Sequence, residues 1–374
     1  TSGVNNYTSQ AGVFSATGQP ALFLLDLAKP ASTAWTLNSN YYKIQFPVNA
    51  ALAATSAPGM INFEAVNGAQ GQVTLIYAGD LHGNMWKLDF RPWGTADWTL
   101  AKLSAFVSGA TPVPLFVARD VNNNVQPISM TPSIVSAVRG GAASYVAFGT
   151  GKFIELDDRL SVQQQTFYAI YDNATTTLDT SGGAAAVSGR ARLAQGVYTT
   201  AGYKTDVTTT AGENTVEAPA FVAGRATSDA DATQRSGWYF DYPTSGERQV
   251  SSAQLRGDTL VVPSLVPGNA GVAAVCGVSG GGGSSYFFNI DTGDANVFIS
   301  KVGILGPSIV LSLPAQDLTI SNGTGRRLRS ITNPVIAVGD RGTGQTTSIT
   351  NTFAAGRLSW RQINNYQDLK GSTP

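Results

Sequence analysis

Val73-Thr74-Leu75-Ile76-Tyr77-Ala78 runs into Gly79-Asp80-Leu81-His82-Gly83-Asn84, and the apolar pattern resumes at Met85-Trp86-Lys87-Leu88-Asp89. A β-branched and aromatic run that meets a Gly/Asp/Asn cluster and then starts again reads as strand, tight connection, strand. The same composition recurs, so further strands are expected over residues 21–27, 144–148, 166–171, 259–262, 285–290 and 334–338. No segment carries a convincing helix of three turns. Leu24-Leu25-Asp26, Trp86-Lys87-Leu88-Asp89, Tyr168-Ala169-Ile170-Tyr171-Asp172 and Phe288-Asn289-Ile290-Asp291 each set an apolar strand before an Asp that opens a turn. A carboxylate there can bond the backbone N–H groups that follow it. The 79–84 connection and Asn289-Ile290-Asp291-Thr292-Gly293 are expected to join adjacent strands of one unit.

Recurring four-stranded units joined in this way imply radial repetition, and the expected fold is all-β, a β-propeller with irregular blades. Like motifs recur at roughly 40–70 residues, so the blades carry long insertions. The largest is expected from residue 173 to residue 236, with one hairpin near 191–200. A second glycine-rich loop is expected over 268–283, around Cys276. Residues 1–374 are expected to form a single domain. Its start at Thr1, in mid-pattern, suggests a fragment of a longer protein.

Composition narrows the function classes. The chain has 374 residues, 24 basic and 24 acidic, and only 13% are charged, about half the usual ~25%. A strongly basic nucleic-acid platform is excluded. One cysteine excludes an internal disulfide framework and a Cys-based zinc site, and one histidine excludes a multi-His metal centre. No apolar run reaches the ~18 residues of a membrane-spanning helix.

Tyr77-Ala78-Gly79-Asp80-Leu81-His82-Gly83-Asn84-Met85-Trp86-Lys87-Leu88-Asp89 resembles the signature of the PilY-type tip-associated proteins of type IV pili. Phe148-Gly149-Thr150-Gly151-Lys152-Phe153 and Gln165-Thr166-Phe167-Tyr168-Ala169-Ile170-Tyr171-Asp172-Asn173 resemble the motifs that follow in that family. Next come Gly237-Trp238-Tyr239-Phe240-Asp241, Gly246-Glu247-Arg248 and Leu255-Arg256-Gly257. Gly356-Arg357-Leu358-Ser359-Trp360-Arg361 resembles its closing motif. The resemblance implies an all-β, seven-bladed β-propeller with irregular blades, the C-terminal domain of a non-enzymatic biogenesis protein that supports pilus assembly, retraction control and adhesion. It implies export through the periplasm to the cell surface, at the pilus tip or against the outer membrane. The implied partners are minor pilins or other pilus components, with host surface receptors as a further class. Tyr77, Gly79, Asp80, Gly83, Asn84, Trp86 and Asp89 are expected to be structural. Two other readings of a propeller stay open: a quinoprotein-like dehydrogenase and a carbohydrate-binding module.

No catalytic residue is expected. A serine triad would need His82 as base, and no Gly-x-Ser-x-Gly elbow exists. His82 reads instead as an exposed turn residue. Gly149-Thr150-Gly151-Lys152 lacks the spacing of a phosphate loop, with Phe153 where Ser or Thr must meet magnesium. The 80–86 turn is similar to the Asp-x-Gly-x-x-Trp box of sialidase propellers, with its Gly one residue late and one copy found. Asp157 and Asp158, if on a strand, would point to opposite faces and make a poor acid/base pair. Trp86, Trp238 and Trp360 read as blade packing, while Trp93 and Trp98 sit in a Gly/Asp-rich loop. Arg326-Arg327-Leu328-Arg329 reads as a solvated hairpin edge. Arg256, Gly257 and Asp258 spell the integrin-binding tripeptide, but Gly257-Asp258 also reads as an ordinary type I′ hairpin turn. Members of the resembled family carry an Asp-rich calcium loop before the signature. Here its acidic positions fall on Val66, Gly68, Gln70 and Thr74, so no cofactor or metal is expected.

Overall fold

The computed structural model describes residues 1–3, 19–92, 98–137, 142–200, 214–231, 233–268, 281–314, 316–318, 327–339 and 344–355. The apolar runs form antiparallel sheets that follow one another in chain order. Ala21–Leu25 pairs with Tyr41–Gln45. Phe63–Asn67, Val73–Gly79, Asn84–Asp89 and Phe116–Val117 form a four-stranded unit in that order. A second unit runs Ser133–Ser136, Ser144–Gly149, Thr166–Asp172 and Gly237–Asp241. A third runs Gln254–Arg256, Thr259–Pro263, Ser284–Asn289 and Ala295–Ile299. In the last sheet Arg327–Val338 pairs with Ile309–Val310, Gln316–Leu318 and Gly344–Ala355.

The two-residue period of these strands explains how the sheets stack. Successive side chains leave opposite faces, and in the central strands both faces are buried. Within Thr166–Asp172, Phe167 and Ala169 pack with Trp238, Val262 and Phe288 of the second and third units. Tyr168 and Ile170 leave the other face and pack with Tyr77, Met85 and Phe116 of the first unit. Ile76, Ala78 and Trp86 cover Leu22, Ile44 and Phe46 of the opening hairpin. Phe287, between Tyr286 and Phe288, meets Val335 and Ile349 of the last sheet. Among the described residues, four apolar interfaces thus join five strand units face to face, the second and third of them also linked within one ten-stranded sheet. That is why the strands read as unbroken apolar runs rather than as alternating ones. Each large side chain buried there contributes on the order of 1.5–3 kcal/mol. The chain is all-β, with single-turn helices at Ala50–Ala53 and Leu100–Leu103.

The turn chemistry is close to what the residues imply. Asp26, Asp89 and Asp172 each accept from the backbone N–H two residues on, at 2.9, 3.0 and 2.9 Å. In the fourth case the acceptor is Asn289, which bonds the Asp291 N–H at 3.0 Å. The 79–84 and 289–293 connections do join adjacent strands of one unit.

Several expectations change. The 173–236 insertion is part of a sheet. Ala194–Thr199 pairs parallel with Gly237–Asp241 and antiparallel with Asn214–Glu217, which in turn pairs with Ala295–Ile299. It thereby covers the last strand of the second unit and the last strand of the third, edges that would otherwise expose unpaired backbone groups. Leu328 and Arg329 do not lie on an edge, because their strand runs there between Gln316–Leu318 and Gly344–Ala355. Arg326, Trp93, Cys276, Trp360 and the closing 356–361 motif lie outside the described residues, as does most of the 268–283 loop.

Candidate functional site

The signature segment is a buried polar corner. Asp80 follows Val73–Gly79, and its side chain is fully enclosed. Oδ1 accepts from the His82 N–H at 3.0 Å and the Asn84 N–H at 2.9 Å; Oδ2 accepts from Asn84 Nδ2 at 2.9 Å and Trp86 Nε1 at 3.1 Å. Enclosure pushes its carboxyl above the ordinary range, against the pull of those donors. Gly83 closes the turn at φ +81°, and a Cβ there would lie 2.8 Å from the Ala118 carbonyl oxygen. Only glycine fits both demands.

His82 is buried, 4% exposed, with Nε2 3.1 Å from the Ser56 carbonyl oxygen. The exposed reading is therefore corrected: Asp80 draws the backbone inward and the imidazole follows it. The turn also has a second copy. Asp120 N–H bonds Asn124 O at 2.9 Å, as Asp80 N–H bonds Asn84 O at 3.0 Å. Asp120 Oδ1 accepts from the N–H groups of Asn122 and Asn124, each at 2.9 Å. Asn123, at φ +66°, stands where Gly83 does, since Asn tolerates the left-handed region. The shared signal is Asp and Asn four apart.

The first and third motifs meet at an enclosed ion pair. Lys87 Nζ lies 2.6 Å from Asp172 Oδ2, with the side chains 3% and 2% exposed. Tyr77 donates its hydroxyl to the same oxygen at 2.7 Å. Burial and the adjacent carboxylate push the Tyr77 phenol far above its ordinary value. Lys87 and Tyr77 belong to the first unit and Asp172 to the second, so the pair ties two sheets. Residue spacing did not reveal it. The available signal was a lysine between Trp86 and Leu88, on a strand whose neighbours are buried.

The Gly-Glu-Arg motif is likewise enclosed. Arg248 donates to the carbonyl oxygens of Gly246, Lys152, Asp158 and Ser161 at 2.8, 2.9, 2.8 and 2.7 Å. Desolvation lowers the pKa of its guanidinium. Glu247 accepts from Ser264 Oγ at 2.5 Å and from the Tyr286 hydroxyl at 2.7 Å. Burial pushes its carboxyl up despite these donors. Asp157 and Asp158 lie on a 3-10 turn, Leu156–Leu160, and not on a strand. Asp158 is buried against Lys152 at 2.5 Å while Asp157 is exposed.

Trp86 and Trp238 are buried, and their indole N–H groups go to Asp80 and to the Ile290 carbonyl oxygen. Trp98 is half-buried against Tyr42 at 4.9 Å and Phe90 at 5.9 Å. Gly79, Asn84 and Asp89 of the signature lie at the strand ends, and Asp89 also binds Arg91 Nε at 2.8 Å. Gly257 and Asp258 link paired residues Arg256 and Thr259. Gly257 has φ +63°, and Asp258 is not among the positive-φ residues. The turn is therefore type II′, which needs glycine at its first position only. Residues 66–74 form the hairpin between the first two strands of the first unit, closed by Gly68 N–H to Gln72 O at 2.7 Å and by Thr74 Oγ1 to Val66 O at 2.8 Å. Among the described residues no three His, Cys, Asp or Glu side chains converge as a metal set. The chemistry of the motifs is that of a scaffold: their donors and acceptors are aimed at one another.

The model of the PilY1 beta-propeller domain family matches residues 7–209, more than half of the chain. A type IV pilus biogenesis factor PilY1 homolog of Xylella fastidiosa is 26% identical over 267 residues, 70% of this chain and 16% of that protein. Type IV pilus biogenesis factor PilY1 of Pseudomonas aeruginosa is 25% identical over 327 residues, 80% of this chain and 27% of that protein. The chain thus spans about a quarter or less of the length of these relatives. The solved C-terminal domain of Pseudomonas aeruginosa PilY1 superposes with a TM-score of 0.48 at 20% identity, covering 82% of this chain and 62% of that one. The chain belongs to the PilY1 β-propeller domain family.

Proposed function

We propose that this chain is the propeller region of a non-enzymatic type IV pilus biogenesis factor that acts at the pilus tip or outer cell surface. In this reading it supports assembly and retraction control, and its partners are minor pilins or other pilus components. The observation that carries it is the use of the signature itself. Tyr77, Asp80, Trp86 and Lys87 are enclosed: Tyr77 and Lys87 tie the first unit to the second through Asp172, and Asp80 and Trp86 bond each other to fix the turn within the first unit. The motifs thus specify a rigid body, and recognition falls to its surface. Sheets stacked face to face in chain order fit a propeller, and we extend that arrangement to seven blades. Adhesion to host receptors belongs to the same reading, without a role for Arg256, Gly257 and Asp258, which form a hairpin tip. Calcium control at Val66, Gly68, Gln70 and Thr74 is absent from it. The test is co-purification of this chain with the minor pilins of the same pilus system. Stoichiometric complexes are expected; no association at micromolar concentrations would refute the partner assignment.

A further inference from the structure

The sheet edges are unequal. Every other edge strand among the described residues has five residues or fewer, and several are charged or irregular. Phe63–Asn67 carries Glu64 and a bulge between Val66 and Asn67. Tyr41–Gln45 carries Lys43, Gln254–Arg256 carries Arg256, and Gln316–Leu318 carries Asp317. These are the devices by which native sheets refuse an extra strand.

Gly344–Ala355 has none of them. It is twelve residues long, Gly-Gln-Thr-Thr-Ser-Ile-Thr-Asn-Thr-Phe-Ala-Ala, with no charge and no proline. Its pairing with Arg327–Val338 runs unbroken from Arg327↔Ala355 to Val338↔Gly344. No strand among the described residues covers its other side. The edge is also held in place. Gln345 Oε1 accepts from the Lys301 N–H at 2.9 Å, and Asn351 Nδ2 donates to the Arg256 carbonyl oxygen at 3.2 Å. Ile349 is fully buried against the third unit. A fixed row of alternating backbone donors and acceptors loses little freedom when a strand adds to it.

We propose that Gly344–Ala355 is a strand-addition site that takes an extended, uncharged segment of another pilus component. The occupant follows from the chemistry of the edge. Backbone pairing supplies affinity for any extended chain, and an edge without charge offers a charged segment no compensation for its lost solvation. The assignment to a pilus component rests on the proposed function.

Hydrogen exchange tests it on the purified chain in three arms: alone, with a synthetic peptide of sequence 344–355 as an uncharged strand probe, and with minor pilins. Alone, the outward amides of 344–355 exchange fast. Peptide and pilins each slow them by about tenfold or more. T346K/S348K, which charges the edge at one exposed and one half-buried position, abolishes both effects while keeping the wild-type melting temperature. T346K alone replaces it if the double variant melts lower. L27K/V121K, at positions 88% and 78% exposed, changes neither effect. Slow exchange in the isolated chain, or no response to the peptide, overturns strand addition. Pilin binding that leaves these amides unprotected overturns the occupant, as does dimerisation of the chain through this edge. Absence of pilin binding refutes the functional reading, and the peptide arm then still decides whether the edge accepts a strand.

Discussion

Asp172→Ala removes the one carboxylate among the described residues that pairs with the Lys87 ammonium, itself 3% exposed. Three groups lose their partner: Lys87 Nζ at 2.6 Å, the Tyr77 hydroxyl at 2.7 Å and the Ala174 N–H at 2.9 Å. Removing one member of a buried pair costs about 3–5 kcal/mol, because the remaining charge stays desolvated. The buried hydroxyl left unsatisfied adds about 1–3 kcal/mol if no water reaches it. The expected loss is therefore about 4–8 kcal/mol, a large part of an ordinary domain's ~5–15 kcal/mol. The K87M/D172N double variant, which leaves no charge and keeps an acceptor for Tyr77, should recover more than half of that loss. Urea unfolding followed by intrinsic fluorescence reads both, given coincident transitions by circular dichroism. A D172A loss below about 1 kcal/mol, the worth of an exposed pair, would refute the claim that this junction is sealed.

Three further outcomes are expected. Glu247 has a folded-state pKa raised above its ordinary value of 4.5. Its contribution to stability is thus fullest below that value and is lost as pH rises through the folded pKa. The melting temperature of wild type relative to E247Q should fall between pH 4 and 8, and a difference that is flat, or that grows in favour of wild type, contradicts the burial argument. Gly257→Ala places a Cβ 2.5 Å from Asn351 Nδ2 at φ +63° and should cost about 1–2 kcal/mol; Asp258→Glu should leave integrin-dependent cell binding unchanged, and loss of binding would restore a role for the tripeptide. Titration with millimolar calcium should give no heat attributable to the 66–74 hairpin, and chelation should not move the melting temperature; an ordered cation in that hairpin would sink the proposal.

Strand positions were legible because stacked sheets bury both faces, which concentrates apolar residues into runs such as Tyr286-Phe287-Phe288. Turn acceptors were legible because their bonds span two residues. Contacts between distant segments were not. Nothing local in Lys87 points to Asp172, 85 residues on, and nothing in Ala194–Thr199 announces a parallel partner. The His82 reading fails because turn residues are usually solvated, whereas here Asp80 accepts the backbone N–H and the Ser56 carbonyl oxygen meets the ring. The second Asp turn escaped a search for a Trp-bearing box because Gln163 Nε2, from a distant segment, meets Asp120 Oδ2 where the Trp86 indole meets Asp80 Oδ2.

The central claim is that this rigid propeller region is required for pilus assembly. Its most direct test is an in-frame deletion of the sequence encoding residues 1–374 in the encoding bacterium, with surface pili sheared and quantified. Loss of surface pili, restored by the intact gene and not by the allele carrying D172A at a temperature where that variant unfolds, is the expected result. Wild-type piliation in a strain that stably exports the truncated protein would contradict the account.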